Sequence, residues 1–279
     1  MTQATQHILE LYPDSGQQRL LKNLYLNQIG DKPFADGRPF IYSNYINSLD
    51  GRIALPGTGR SHQVPPAIAN KRDWRLFQEL AASADAVITS ARYFRQSADA
   101  EAQAELPVGL SKDFEDLRDW RLQQNMQAQP DVIIFSSSLN IPITALQHYQ
   151  NRKVTIFTGE KANPDAVEKL SALTGVEIIF CGQGGAVDGH LVREKLSILG
   201  YQHIYAIAGP SVLHTLIEGD ALDRLYLTTA HCLLGGTEFD TITWGSEFSP
   251  AYHLPLRALY LDKKAPEGMG QTMAIYGRA

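Results

Sequence analysis

The chain has little cysteine. Of its 279 residues only Cys181 and Cys232 are cysteines, far apart and in no C-x-x-C pair. That spacing excludes a zinc site and fits two reduced thiols of a cytoplasmic protein better than a bridge. Long apolar runs are also missing, and none approaches the ~20 residues that a membrane span requires. The opening MTQATQHILELYPDSGQQ has neither the basic start nor the apolar centre of a signal peptide. There is no excess of positive charge. A net charge of −5 and a pI near 5.9 exclude a broad nucleic-acid-binding face and leave room only for a local cationic pocket for a small anion. Several catalytic signatures are absent: the G-x-S-x-G elbow, the H-E-x-x-H pair and the zinc-deaminase H-x-E with P-C-x-x-C. His62, His148, His190, His203, His214, His231 and His253 each stand singly, as surface or internally satisfied histidines do.

What is present is an ordinary globular composition, 44% hydrophobic and 20% charged. Such a chain builds a core without disulfide or metal staples. Residues 1–37 read as an N-terminal extension of a helix or two with loops, closed by the connector GDKPFADGRP. Residues 38–279 read as one α/β domain. FIYSNYIN alternates as a strand, and Trp74, Phe77, Leu80, Ala81 and Ala84 recur at helical spacing. DAVIT is a short buried strand, and residues 96–130 read as an outer helix or insertion. Then DVIIF, KVTIF, VEIIF and HIYAIA alternate with helical stretches, which predicts a mostly parallel sheet with helices on both faces. The last two strand-like runs, AYHLPLRALYLDKK and QTMAIYGRA, have no helix between them and predict an antiparallel hairpin.

Several strand ends carry candidate chemistry. VEIIFCGQGGAVDG approaches a dinucleotide fingerprint, but Val187 stands at its third glycine and the following strand ends without an acid. In AIAGPSVLHTLIEG a strand meets Gly209, Pro210 and Ser211 at a helix start, where free N–H groups favour an anion; a plain helix start gives the same pattern. DAVITSARYFR offers Thr89, Ser90, Ala91 and Arg92, with the guanidinium suited to phosphate; a solvated loop is equally compatible. Ser136, Ser137 and Ser138 follow DVIIF, as a 2′-phosphate site or as a plain loop. Asp50, at the end of SNYINSLDG, is either a turn aspartate or an acid at the ligand edge of the sheet, with Asn44, Ser48 and Arg52 converging on it.

RPFIYSNYINSLDGRIA followed by GRS, LDRLYLTTAHCLLGG and GPSVLHTLIEGDALD together resemble the reductase half of the bifunctional riboflavin-biosynthesis deaminase-reductase, from about Arg38 to the C-terminus. The leading LYPDSGQQRLLKNLYL is similar to the preface of stand-alone pyrimidine reductases. The resemblance implies a dihydrofolate-reductase-like mixed, mostly parallel sheet flanked by helices with antiparallel C-terminal strands. It implies NADPH as hydride donor, a homodimer, and a phosphorylated small-molecule substrate, 5-amino-6-(5-phosphoribosylamino)uracil. Carried onto this chain, Asp50 is the substrate-facing acid, with Asn44, Ser48, Arg52 and Arg60 at the substrate end. Thr89, Ser90, Ala91 and Arg92 stand at the cofactor loop, Ser136 to Ser138 near the adenosine phosphate, and Gly209, Pro210 and Ser211 at the pyrophosphate. The family's Glu-Gly-Gly reads here as Ile207-Ala208-Gly209, its usual lysine as Asn44, and the glycines of its Gly-Ala-Gly-Thr loop are replaced.

Overall fold

The computed structural model describes residues 7–29, 37–57, 62–98 and 106–278. Its chain opens with β1 (His7–Tyr12) and β2 (Gln18–Leu20), followed by a single short turn of helix, α1 (Leu26–Ile29). This corrects the expectation of a helical extension. HILELY alternates in burial, with Ile8 and Glu10 turned inward. Glu10 is a charge on the buried side of a strand, so it disguises the alternation; Arg19 on β2 pairs with it at 2.5 Å.

β3 (Phe40–Ser48) is the central strand. A small hairpin, β4 (Leu55–Pro56) and β5 (His62–Gln63), leads to α2 (Lys71–Ala82), whose start is fixed by Asn70 accepting the N–H groups of Arg72 and Asp73. Its buried Glu79 accepts the N–H groups of Asn23 (2.6 Å) and Tyr25 (3.1 Å) and so ties the N-terminal segment to the domain. β6 (Ala86–Ser90) runs directly into α3 (Ala91–Ala98). α4 (Glu115–Gln123) packs against α2: Leu117 enters the core, and the buried Arg121 donates to the carbonyls of Ala82 (2.8 Å) and Ala84 (2.6 Å). Those carbonyls, at the end of α2 and just beyond it, are thereby satisfied.

The alternation expected from the sequence follows: β7 (Asp131–Phe135), α5 (Ile143–Leu146), β8 (Val154–Thr158), α6 (Pro164–Ser171), β9 (Val176–Phe180), α7 (Gly189–Ile198), β10 (His203–Ala206), α8 (Pro210–Glu218) and β11 (Arg224–Ala230). β12 (Leu256–Asp262) and β13 (Gln271–Gly277) pair antiparallel, as the missing helix between them predicts. All the long strands join one eleven-stranded sheet in the order β2-β1-β12-β13-β11-β3-β10-β6-β7-β8-β9. From β11 to β9 every neighbouring pair is parallel; the other end is antiparallel.

Successive side chains of a strand face opposite sides, and the core divides accordingly. Tyr42, Val132, Ile134 and Tyr205 join the apolar layer under α2 to α6. Ile41, Ile133, Ile204 and Ala206 join the layer under α7 and α8. The second layer is locked by Asp223, buried before β11, which accepts the Ile41 N–H at 2.8 Å and pairs with Arg193 of α7 at 2.9 Å. α7 and α8 cross at Gly189 and Gly219, where a Cβ on Gly189 would meet the Thr215 carbonyl at 1.9 Å; no larger residue fits that contact. The parallel half leaves the carboxyl ends of β3, β10, β6 and β7 side by side.

Candidate active site

The Ser-Leu-Asp-Gly and Leu-Leu-Gly-Gly segments form one structural unit. β3 and β11 are parallel neighbours with Ser48 opposite Ala230, so the loops leaving them meet. The Asp50 carboxylate accepts the N–H groups of Leu234 (3.2 Å) and Gly235 (2.8 Å). Ser48 donates its hydroxyl to it, and Arg52 pairs with it at 2.8 Å. The Ser48 hydroxyl and the Gly235 N–H pull the carboxyl down to about 2. Gly51, Gly235 and Gly236 take positive φ at this junction, which L side chains resist. Arg52 also donates to the Gly236 carbonyl at 3.2 Å and lies over the Phe239 ring. Asp50, Ser48 and Arg52 are therefore a clamp between two loops, and none of the three lines either cavity described below. The acid expected to face the substrate thus has its oxygens engaged by donors of these two loops. Arg60 lies outside the described residues.

Two cavities lie at the carboxyl edge of the parallel strands. The larger, about 640 Å³, is bordered by Asn44, Thr89, Ile207 and Ala208 and by the stacked rings of Trp74 and Phe77. The smaller, about 370 Å³, is bordered by Ala91, Ser136, Ser137, Ser138 and Ser211. Ser90, Arg92, Gly209 and Pro210 border both. Thus Asn44, Thr89, Ser90, Ala91, Arg92, Ser136, Ser138, Gly209, Pro210 and Ser211 come together along one groove, although they arise from four separate strand ends. Pockets of a few hundred Å³ at such an edge suit small molecules and cofactors.

Local chemistry explains these positions. Gly209 precedes α8, and Pro210, with no N–H to lose, starts it. The remaining free N–H groups of the first turn make that end favourable to an anion. Arg92 is exposed and has no hydrogen-bond or ion-pair partner among the described residues. Ser136 is buried and accepts the Leu139 N–H at 2.9 Å, while Ser138 accepts that of Asn140 at 3.3 Å; both retain a hydroxyl proton to donate. Asn44 accepts the Tyr205 hydroxyl, which fixes its amide at the wall of the larger cavity. The glycine loop after β9 contributes Ala186 and Val187 to the smaller cavity. β9 is the outermost strand, and a Cβ on Gly159 would lie 2.0 Å from the Gly184 carbonyl. The glycine at 159 thus permits a close loop crossing.

Three site residues escaped the sequence reading. Asp73, on the buried face of α2, borders the larger cavity. Burial pushes its carboxyl up to about 6, against a hydrogen bond from Thr228. A carboxyl shifted by desolvation at a cavity wall is a functional candidate. The pattern held a trace of it, since Asp73 precedes Leu76, Phe77 and Leu80 by three, four and seven positions, putting an acid in line with an apolar face. His62 and Asp240 also border this cavity, with His62 Nδ1 3.2 Å from Asp240 Oδ1. No sequence pattern links these two.

The described residues form a mixed α/β domain with two adjoining cavities at the carboxyl edge of its parallel strands. The chain belongs to the RibD C-terminal domain family, which matches residues 39–263. Its fold is similar to a pyrimidine reductase-like protein from Corynebacterium diphtheriae, at 20% identity and a TM-score of 0.61, covering 86% of this chain and 91% of that one. It is similar to a riboflavin biosynthesis reductase from Saccharomyces cerevisiae, at 14% identity and TM-score 0.54, over 93% of this chain and 97% of that one. It is also similar to a diaminohydroxyphosphoribosylaminopyrimidine deaminase/5-amino-6-(5-phosphoribosylamino)uracil reductase from Thermotoga maritima, at 15% identity and TM-score 0.56. There the match covers 88% of this chain but spans only 58% of the longer protein. A comparison with curated proteins finds no match. Among the described residues no helix is long and apolar enough to cross a membrane.

Proposed function

We propose that the chain is an NADPH-dependent reductase of the riboflavin-pathway type, acting as a homodimer on 5-amino-6-(5-phosphoribosylamino)uracil. The observation that carries this reading is the groove. Ser90, Arg92, Gly209 and Pro210 join a small polar cavity to a larger, aromatic-walled one. The donor set fits a dinucleotide: a helix start for the pyrophosphate, an unpaired arginine, and three serines for the adenosine-ribose phosphate. Bound there, NADPH would supply a hydride, and the larger cavity would hold the group that accepts it. Arg92 neutralises phosphate charge at the junction. Trp74 and Phe77 exclude water and offer a flat face to a heterocycle. Asn44, held by Tyr205, presents its amide to the substrate.

Purified protein incubated with NADPH and this aminouracil should consume the reduced nicotinamide and form the ribityl product. Absence of both binding and consumption would overturn the reading. Asp73 supports a second reading with the same cofactor and a different small heterocycle. A buried carboxyl beside aromatic rings suits a ring with paired N–H donors better than it suits a phosphorylated sugar, whose charge it repels. Turnover of another nitrogen heterocycle, with none of the aminouracil, would select this second reading.

A further inference from the structure

We propose that His62, oriented by Asp240, is the proton donor of the reduction; the proposal rests on the reductase reading above. Both residues border the larger cavity, yet they come from different parts of the chain, β5 and the long loop after β11. Asp240 is rigid. Its N–H donates to the Ala54 carbonyl and its carbonyl accepts the Ile53 N–H, both at 2.9 Å. The carboxylate is therefore delivered to a fixed place beside the β4–β5 hairpin. His62 Nδ1 lies 3.2 Å from it, buried and without a well-aligned hydrogen-bond partner. Catalytic hydrogen bonds are commonly close but misaligned before a ligand completes the site. With Nδ1 turned to Asp240, Nε2 remains to serve the cavity, and no hydrogen bond engages it among the described residues. The side chains of His62 and Asp240 are 27% and 24% exposed, so solvent can return a proton to the ring. The other charged groups bordering the cavity are Lys71 and Asp73 of α2 and Arg92 of α3.

The chemistry requires such a group. The sugar ring of the aminouracil first opens: the C1′–O4′ bond breaks, the amine N–H proton ends on O4′, and a C1′=N imine forms. Reduction then adds hydride to C1′, and the π electron pair moves to nitrogen, which must gain a proton. His62 Nε2 would give that proton when a bound nicotinamide supplies the hydride, and water would restore it. Asp73 is buried in the cavity wall, whereas the His62 side chain is more exposed to solvent. Asp240 is a positioning residue that sets the ring's tautomer and angle.

The test uses the full chain with NADPH and 5-amino-6-(5-phosphoribosylamino)uracil. His62→Gln should lower kcat by about a hundredfold or more, with NADPH affinity by fluorescence titration unchanged. The alkaline fall of the wild-type kcat profile should disappear in that variant. Asp240→Asn, which keeps the shape, should lower kcat by a smaller factor and leave KM within about twofold. A purely structural pair would instead change the melting temperature and KM and leave the pH profile alone. Active wild type with an unaffected His62→Gln overturns the proposal and spares the reductase reading. A wild type that oxidises no NADPH overturns both.

Discussion

Replacing Asp73 with Asn separates stability from activity at one position. Asp73 is buried at the wall of the larger cavity, and this burial moves its carboxyl from 3.8 to about 6. At about 1.4 kcal/mol per pH unit, the ionised form costs the folded state about 3 kcal/mol. The sign follows from the direction. A raised carboxyl favours the fold while protonated, so this stability is complete below pH 3.8, falls as pH rises to about 6, and is gone above that. Asn is neutral throughout and keeps the shape. In urea denaturation the variant should match wild type to within about 1 kcal/mol near pH 4 and exceed it by about 3 kcal/mol above about pH 7. Where the substrate is a ring with paired N–H donors, the variant's kcat/KM should fall by about tenfold or more, because the charged partner of those donors is lost. A stability difference that does not change with pH, or full activity in Asp73→Asn, would refute the reasoning.

Asp50→Asn should loosen the junction of the β3 and β11 loops, read as faster hydrogen exchange at the Leu234 and Gly235 amides. Since the Asp50 carboxyl is pulled down to about 2, wild-type protection of those amides should hold above pH 3.8 and be lost as pH falls through about 2. Asp223→Ala should destabilise by about 3–5 kcal/mol in urea, because it leaves Arg193 a part-buried charge without its carboxylate.

The strands DVIIF, KVTIF, VEIIF and HIYAIA were legible because they are short and apolar and each is followed by a helix. Gly209-Pro210 is a local device, so a local reading finds it. The N-terminal strands were missed because Glu10 is turned inward and is neutralised by Arg19, a contact that periodicity does not register. Residues of the groove were found wherever a strand end carried small or cationic residues, as at Ser90 to Arg92 and Ser136 to Ser138. Asp50 was located at a strand end, but its partners Leu234 and Gly235 show only in the pairing of β3 with β11. His62 and Asp240 meet through the loop after β11, and nothing in their separate neighbourhoods marks them.

We propose that the groove shared by Ser90, Arg92, Gly209 and Pro210 holds NADPH. Fluorescence titration of NADPH into wild type and Arg92→Ala tests it most directly. Loss of one charge-assisted phosphate contact, about 1.5–3 kcal/mol, predicts affinity weakened by about ten- to a hundredfold, with the melting temperature of the free protein unchanged. Equal NADPH affinity in the two proteins, or no binding by either, would mean that Arg92 holds no cofactor phosphate in this groove.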